Sequence, residues 1–147
     1  MPHLELVTLV VREYDRAIDF FTRLLGFALV EDVPSRTGDG RPKRWVVVRP
    51  PGATTGLLLA RADGGAQEAV VGHQFAGRVG FFLRVDDFDA TVARLQAGGV
   101  TFTAPPRQEP YGTVAVFLDC EGNRWDLLGD GGGAIAAPTA PVPARAP

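Results

Sequence analysis

The feature that most constrains the fold of this chain is an internal repeat. The segment LVVREYDRAIDFF, which starts at Leu9, aligns without gaps with LRVDDFDATVARL, which starts at Leu83. The aligned pairs are Leu9 with Leu83, Val11 with Val85, Glu13 with Asp87, Tyr14 with Phe88, Asp15 with Asp89 and Ile18 with Val92. Self-similarity of this kind indicates a structural unit that occurs twice. We therefore expect two similar modules.

The first module is predicted to run strand, helix, strand, strand, strand. Apolar and β-branched residues predict the first strand at Leu4 to Val11. The apolar spacing then changes to three and four, which predicts a helix capped by Asp15 and ended by Gly26. The segments that follow are a strand at Phe27 to Val33, a loop at Pro34 to Lys43, and strands at Arg44 to Arg49 and Gly56 to Arg61.

The second module repeats this order after a polar, Gly- and Ala-rich linker at residues 62 to 77. Its helix is predicted to be capped by Asp86 or Asp87, and to end at Gly98 and Gly99. The predicted apolar face of that helix carries Phe88, Val92 and Leu95. The predicted strands are Arg78 to Val85, Val100 to Thr103, Thr113 to Leu118 and Arg124 to Leu128. The predicted fold class is α+β, in which tandem βαβββ modules form two curved mixed sheets around a cleft, with the helices outside.

The last 20 residues before the tail, PYGTVAVFLDCEGNRWDLLG at 110 to 129, are typical of a hairpin. Two extended apolar runs flank Asp119, Gly122 and Asn123, which are common turn residues. We expect this hairpin to close a ligand cavity between the modules. Its last strand carries Asp126, which could be a metal ligand, an acid or base, or a buried carboxylate.

Composition excludes several classes of protein. Hydrophobic residues make up 46% of the chain and charged residues 22%, as in ordinary globular proteins. The formal net charge of -2 gives no basic surface for nucleic acid or anionic membrane. No apolar run reaches the length of a membrane span, and no signal-peptide pattern is present, so we expect a cytoplasmic protein. The one cysteine, Cys120, excludes an internal disulfide and is expected to serve packing rather than catalysis.

Residues 130 to 147 are almost wholly Gly, Ala and Pro, and we expect them to form a disordered tail. Gly129, Gly131 and Ala134 match a dinucleotide-binding GxGxxA pattern. Prolines follow where the helix of that motif would have to be. We therefore regard the match as accidental.

The repeated unit, together with REYDRAIDFFTRLLGF, RVDDFDA and DCEGNRWDLLG, resembles the vicinal oxygen chelate superfamily, which is also called the glyoxalase, bleomycin-resistance and dioxygenase family. The resemblance covers residues 4 to 129 and implies one domain at 1–129, with modules at 4–61 and 78–129. It also implies a homodimer. It does not fix a reaction, because this fold serves isomerases, lyases, dioxygenases, thiol transferases and non-catalytic drug-binding proteins.

Family members that use a metal hold one divalent ion with four side chains from the first and last strands of each module. The corresponding positions here carry Leu6, Leu57 to Leu59, Gly80 and Asp126, of which only Asp126 has a donor atom. One carboxylate is too few for a divalent ion. His3 and His73 fall at no family position. We expect no metal cofactor, and metal catalysis that recruits His73 is the alternative.

The candidate catalytic residues are Asp126 and Arg84. Arg84 could bind a carboxylate, phosphate or enolate oxygen, or could simply form a salt bridge with Asp126. The candidate ligand-binding residues are Thr8, Trp45, Phe82, Tyr111, Phe117, Arg124 and Trp125. The aromatic residues could stack on a flat ligand or serve as core. Tyr111 could donate its hydroxyl to a ligand or to a backbone carbonyl.

Two functions remain open at this point. The first is metal-independent binding of a small organic molecule, for resistance, sequestration or a biosynthetic pathway. The second is a glyoxalase-like isomerase, lyase or cyclase that uses Asp126 as a general base and Arg84 or Tyr111 to stabilise an oxyanion.

Overall fold

The computed structural model describes residues 1–129 of the chain. The predicted tail at 130–147 lies outside the described residues. The chain divides into two compact units. The first contains Met1–Gly80 and the turn Asp119–Asn123, and the second contains Phe81–Leu118 and the segment from Arg124 onward. No helix in the described part of the chain is both long and apolar enough to cross a membrane.

The first unit is built on a four-stranded mixed sheet with the strand order β1-β4-β3-β2. The strands are β1 (Leu6–Val11), β2 (Ala28–Arg36), β3 (Pro42–Arg49) and β4 (Gly56–Arg61). β1 runs parallel to β4, and the other neighbours are antiparallel. The connection from β1 to β2 is helix α1 (Tyr14–Asp19), continued by a π-helical turn at Phe20–Leu24. The second helix, α2 (Gly65–Val70), follows β4.

Period-two alternation sorts the residues of this sheet onto two faces. Leu9 and Val11 on β1, Val46 and Val48 on β3, and Leu59 on β4 are fully buried on one face. Tyr14 of α1 is buried beside this sheet, and its hydroxyl oxygen accepts a hydrogen bond from the Arg44 backbone N–H at 3.3 Å. The other face carries Thr8, which pairs with Leu58 on β4.

The outer edge of β1 is covered by side chains. The Gln74 side chain accepts a hydrogen bond from the Val10 N–H at 2.9 Å and donates one to the Thr8 carbonyl at 2.7 Å. Glu121 accepts hydrogen bonds from the Arg12 backbone N–H at 3.2 Å and from its guanidinium at 2.9 Å. These contacts satisfy edge groups that would otherwise be open to another strand.

The second unit is built on a sheet with the strand order β5-β8-β7-β6. Its strands are β5 (Val79–Arg84), β6 (Arg107–Glu109), β7 (Gly112–Leu118) and β8 (Arg124–Leu128). Helix α3 (Phe88–Ala97) has Asp87 as its N-cap, whose carboxylate accepts the Ala90 N–H at 3.0 Å. The predictions of this cap, of the β7–β8 hairpin and of an α+β fold with two mixed sheets are confirmed.

The prediction of a loop at Pro34 to Lys43 was wrong. β2 and β3 both extend into it and pair as far as Arg36 and Pro42, so only residues 37 to 41 connect them. Pro34 is tolerated because β2 is an edge strand, where a missing N–H need not interrupt the ladder. Two hydrogen bonds from Arg44 to the Asp32 carboxylate, at 2.6 and 3.0 Å, also tie the strands together.

Other predicted boundaries were also wrong. The first helix begins after Glu13 rather than Asp15, and its N-cap side chain makes no capping hydrogen bond. Val100 to Thr103 forms only an isolated bridge, Phe102 with Phe117, and the edge strand is β6 instead. Leu4 is exposed and precedes β1, and the predicted linker contains α2. Local composition missed the β6 edge strand because long-range pairing decides where it forms.

A test of the packing around the β1 edge is the substitution Gly72→Ala. Gly72 has a φ of 76°, and an added Cβ would overlap the Glu121 carbonyl oxygen. We expect a loss of about 2 kcal/mol in the free energy of unfolding, measured by urea denaturation. Gly38→Ala is the matched control, since no atom lies within 4 Å of an added Cβ there. Equal losses in both variants would contradict this account.

Candidate functional site

The candidate site lies on one face of the sheet of the second unit. Asp126 on β8 pairs with Val116 on β7, and Leu128 pairs with Val114. Val114 in turn pairs with Arg107 on β6. Because directly paired residues share a face, Asp126, Leu128 and Arg107 lie on the same side of the sheet. The structure therefore places this carboxylate among apolar side chains, with Arg107 on the same face.

Asp126 is a buried carboxylate with an unsatisfied oxygen. Its side chain is 6% exposed, and its Oδ1 has no hydrogen-bond partner within residues 1–129. Burial raises the pKa of Asp126, and the nearby positive charge of Arg107 opposes that shift. Buried carboxylates normally accept hydrogen bonds, so the free oxygen marks an unusual position.

Arg107 was not among the predicted site residues. It lies in the three-residue strand β6, and its Nε donates to the Glu109 carboxylate at 2.9 Å. No strand signal was visible there, because prolines lie on both sides of Arg107–Glu109 in PPRQEP. One signal could have been noticed. Arg107 stands two residues before the acidic Glu109, and this spacing puts both side chains on the same face of a strand.

Of the two alternatives for Arg84, the salt bridge with Asp126 is not formed. Arg84 Nη1 donates instead to the Gly129 carbonyl at 2.8 Å. Arg84 shares its face with Phe82, since both are even-numbered residues of β5. Phe82 is 54% exposed, and its neighbour Phe81 packs on Trp125 at 4.3 Å between ring centroids. Trp125 lies on the face opposite Asp126, and Phe81 therefore does too. Phe82 and Arg84 alternate with Phe81 and point to the side that carries Asp126.

Phe117 and Trp125 lie on the opposite face of this sheet. Their ring centroids are 5.8 Å apart, and both side chains are almost fully buried. They form part of the core with Phe81 and Phe102. The structure thus separates these two predicted ligand-binding residues from Asp126, while their role in binding stays a prediction.

The remaining predicted residues fall in different surroundings. Tyr111 is buried in a small cluster with Val114 and Leu128, on the face of Asp126. Arg124 is half-buried on that face, opposite Leu118. In the first unit, Thr8 is exposed, and Trp45 is half-buried at the wall of a cavity of about 370 Å³. Thr8 and Trp45 share one face of their sheet.

The residues at the family's metal positions do not fit a divalent ion. An added Cβ at Gly80 would overlap the ring of Phe75, so no ligating side chain could occupy that position without rearrangement. Leu6 and Leu57 to Leu59 have no donor atoms. Across residues 1–129, no three side chains of the His, Cys, Asp and Glu types form a group that could hold a metal. We therefore derive no chemistry through a metal.

His3 and Cys120 show no arrangement for catalysis. His3 Nε2 lies 2.6 Å from the Glu5 carboxylate at the exposed start of the chain. Burial, with the charges of Asp119 and Glu121, raises the pKa of the Cys120 thiol to about 12. A thiol with that pKa is a poor nucleophile near neutral pH.

Comparison with known proteins decides the family. The sequence pattern of the Glyoxalase/Bleomycin resistance protein/Dioxygenase superfamily matches residues 2–127. The chain belongs to this superfamily. An uncharacterised protein of Shewanella frigidimarina is 50% identical over 123 residues, which are 83% of this chain and 89% of that protein.

Solved structures of similar proteins include two that share about a third of their sequence with this superfamily member. UcmS2 is 31% identical, covers 87% of this chain and 98% of its own, and has a TM-score of 0.71. TnmS3, an antibiotic binding protein from Streptomyces sp. CB03234, is 33% identical, covers 88% of this chain and 96% of its own, and has a TM-score of 0.67.

The pKa of Asp126 leads to a test of stability against pH. Because the folded-state pKa is raised, the native state binds this proton more tightly than the unfolded state does. The resulting stabilisation is present below the unfolded pKa and is lost as pH rises through the folded pKa. The substitution Asp126→Asn removes the buried charge, so stability is no longer lost as this carboxyl ionises. We expect the variant to be more stable than wild type by about 1 kcal/mol at neutral pH.

Urea denaturation across the pH range would measure this difference, which we expect to shrink toward acidic pH. Asp32→Asn is the control with the opposite sign, because the hydrogen bond from Arg44 lowers the pKa of Asp32. That variant should be less stable than wild type at neutral pH. A destabilised Asp126→Asn protein at neutral pH would refute the interpretation of Asp126 as an unpartnered buried charge.

Proposed function

We propose that this member of the superfamily binds a small organic molecule, without a metal, on the sheet face that carries Asp126. The observation that carries the proposal is the Asp126 Oδ1 atom, which is buried and has no partner in the described chain. A buried acceptor without a donor costs free energy, and a ligand hydroxyl or amine would remove that cost. The ligand would therefore include a hydrogen-bond donor.

The surroundings of Asp126 support an apolar or aromatic body for the same ligand. Val114, Val116 and Leu128 pair along this face, and Phe82 offers an exposed ring. Small-molecule sites are usually apolar with a few polar groups that fix orientation. The likeness to the antibiotic binding protein TnmS3, at 33% identity, supports a ligand of the antibiotic type. Sequestration of such a compound would give resistance, and a role within a biosynthetic pathway fits the same chemistry.

A second candidate function is catalysis by Asp126. Its raised pKa favours proton abstraction, because a carboxylate made more basic by burial is a better general base. Asp126 would then remove a proton from the substrate, and Arg84 would stabilise the oxyanion that develops. The reaction class would be that of an isomerase, lyase or cyclase.

Binding can be tested with purified protein, bleomycin and a panel of aromatic antibiotics that carry hydroxyl or amine groups. We expect at least one compound to raise the melting temperature and to bind in calorimetry, both with and without EDTA. Asp126→Leu should weaken that binding about tenfold, since it removes a hydrogen bond to a charged group. Asp86→Asn, an exposed aspartate of the same unit, is the matched control.

The outcomes separate the candidate functions. Binding that disappears with EDTA, or that is unchanged in Asp126→Leu, would refute metal-free binding through Asp126. Mass spectrometry of each compound after incubation shows whether it is released unchanged, as a binding protein requires. Conversion that is lost in Asp126→Asn would instead establish the catalytic alternative.

We also propose that the protein is a homodimer. Support comes from edge strand β2, on which Leu29, Val30 and Val33 are exposed apolar residues. Sedimentation velocity should give the mass of two chains, and Leu29→Lys combined with Val33→Lys should shift it toward one chain. A monomeric wild-type protein at micromolar concentration would contradict the proposal. The cytoplasmic location stays a prediction from the sequence.

A further inference from the structure

The alignment of β5 with β8 decides which side chains stand next to Asp126. Phe81 packs on Trp125 at 4.3 Å between ring centroids, and the Val85 N–H donates to the Leu128 carbonyl at 2.9 Å. The step from the first of these contacts to the second goes forward along both strands. β5 and β8 are neighbours in the sheet, and they therefore run parallel with Phe81 beside Trp125.

This alignment puts an exposed aromatic ring beside the unpartnered carboxylate. Phe82 and Asp126 are the next residues on the two strands, so they are cross-strand neighbours on the opposite face, with Cα atoms about 5 Å apart. Phe82 is 54% exposed, whereas Asp126 is 6% exposed and its Oδ1 has no partner among residues 1–129. A ligand that reaches Asp126 would therefore pass over the ring of Phe82.

Arg124 is a second charged residue of this face without a partner. It precedes Asp126 by two residues on β8, which puts both side chains on one face with Cα atoms about 7 Å apart. The half-buried Arg124 side chain forms no ion pair or hydrogen bond with any other residue between 1 and 129, and Asp126 forms none either. The face thus holds one negative and one positive group that are both available to a ligand.

The remaining charged residues of the face do not alter this arrangement. Arg107 forms an ion pair with Glu109 at 2.9 Å, so the charges of these two side chains cancel. Arg84 donates to the Gly129 carbonyl at 2.8 Å, and its exposed charge is screened by solvent. With three arginines and two carboxylates in all, the face does not favour a simple cation. A ligand that carries charges of both signs is the better match.

We propose that the ligand of this face is an α-amino acid with an aromatic side chain. Its ammonium group donates to Asp126, its carboxylate accepts hydrogen bonds from Arg124, and its ring packs on Phe82. Such a zwitterion gives both unpartnered groups a partner and adds no net charge to the face. This inference rests on the proposed function, because it names the class of ligand that the same site takes.

The lengths of the two charged side chains suit this class of ligand. An α-amino acid carries its ammonium and carboxylate groups on one carbon, so their protein partners must converge on neighbouring atoms. The short side chain of Asp126 stays close to the sheet. The long side chain of Arg124 can lean along the strand and cover most of the distance between the two Cα atoms.

The ligand class can be tested by ¹H–¹⁵N NMR of the full-length protein with phenylalanine and three analogues. Phenethylamine lacks the carboxylate, 3-phenylpropanoate lacks the ammonium group, and glycine lacks the ring. We expect phenylalanine to shift the backbone amide signals of β8 in a saturable way. Each analogue should bind at least about tenfold more weakly, because it loses one of the three contacts.

Variants assign each contact to a residue. Arg124→Gln should weaken phenylalanine binding about tenfold and leave the affinity for phenethylamine unchanged, because phenethylamine has no carboxylate. Asp126→Asn should weaken the binding of both amines but not that of 3-phenylpropanoate. Arg94→Gln is the matched control, since Arg94 is an exposed arginine of helix α3 in the same unit. The spectrum without probe reports whether each variant is folded, and Arg124→Lys replaces Arg124→Gln if that protein does not fold.

Three results would overturn the ligand class: no saturable shift with phenylalanine, equal binding of any one analogue, or an equal loss of phenylalanine and phenethylamine binding in Arg124→Gln. Antibiotic binding that is lost in Asp126→Leu, together with no binding of phenylalanine, would overturn this inference and leave the proposed function intact. Phenylalanine binding that meets every expectation above but disappears with EDTA would refute the metal-free function and keep the ligand class.

Discussion

The carboxylate of Asp119 accepts hydrogen bonds from the backbone N–H groups of Glu121 and Asn123, at 2.9 and 3.0 Å, and from the Asn123 side chain at 3.2 Å. These bonds fix the turn between β7 and β8, and the turn fixes which residues of the two strands face each other. A shift of one residue would exchange the two faces of β8. Asp126 would then join Phe117 in the aromatic core, and Trp125 would take its place on the other face. The position of the candidate site therefore depends on this turn.

The two buried carboxylates of this turn, Asp119 and Glu121, both have hydrogen-bond partners. Asp119 is satisfied within the turn, and Glu121 is satisfied by Arg12, although both side chains are less than 10% exposed. Asp126 is buried to the same degree, and its Oδ1 has no hydrogen-bond partner among residues 1–129. Among these three buried carboxylates Asp126 is the exception, and a buried polar atom without a partner calls for a specific explanation, such as a bound ligand.

Local chemistry made much of the fold predictable. The Asp87 cap and the β7–β8 hairpin followed from a capping aspartate and from turn residues between two apolar runs. The lack of metal donors at Leu6 and Gly80 could also be read from the sequence. The extent of β2 and β3 could not, because Pro34 and the polar residues around it resemble a loop until Arg44 and Asp32 are brought together. Arg107 was missed for a similar reason, since only pairing with Val114 reveals its strand.

The side chains along β1 also limit how this protein can associate. Gln74 and Glu121 hydrogen-bond to the Val10 N–H, the Thr8 carbonyl and the Arg12 N–H, which obstructs pairing of that edge of the first sheet with another strand. Within residues 1–129, edge strand β2 leaves its apolar residues Leu29, Val30 and Val33 exposed. A sheet with one closed and one open edge can gain a single neighbour through strand pairing. Strand pairing of this sheet would therefore favour a pair of chains over an open-ended filament.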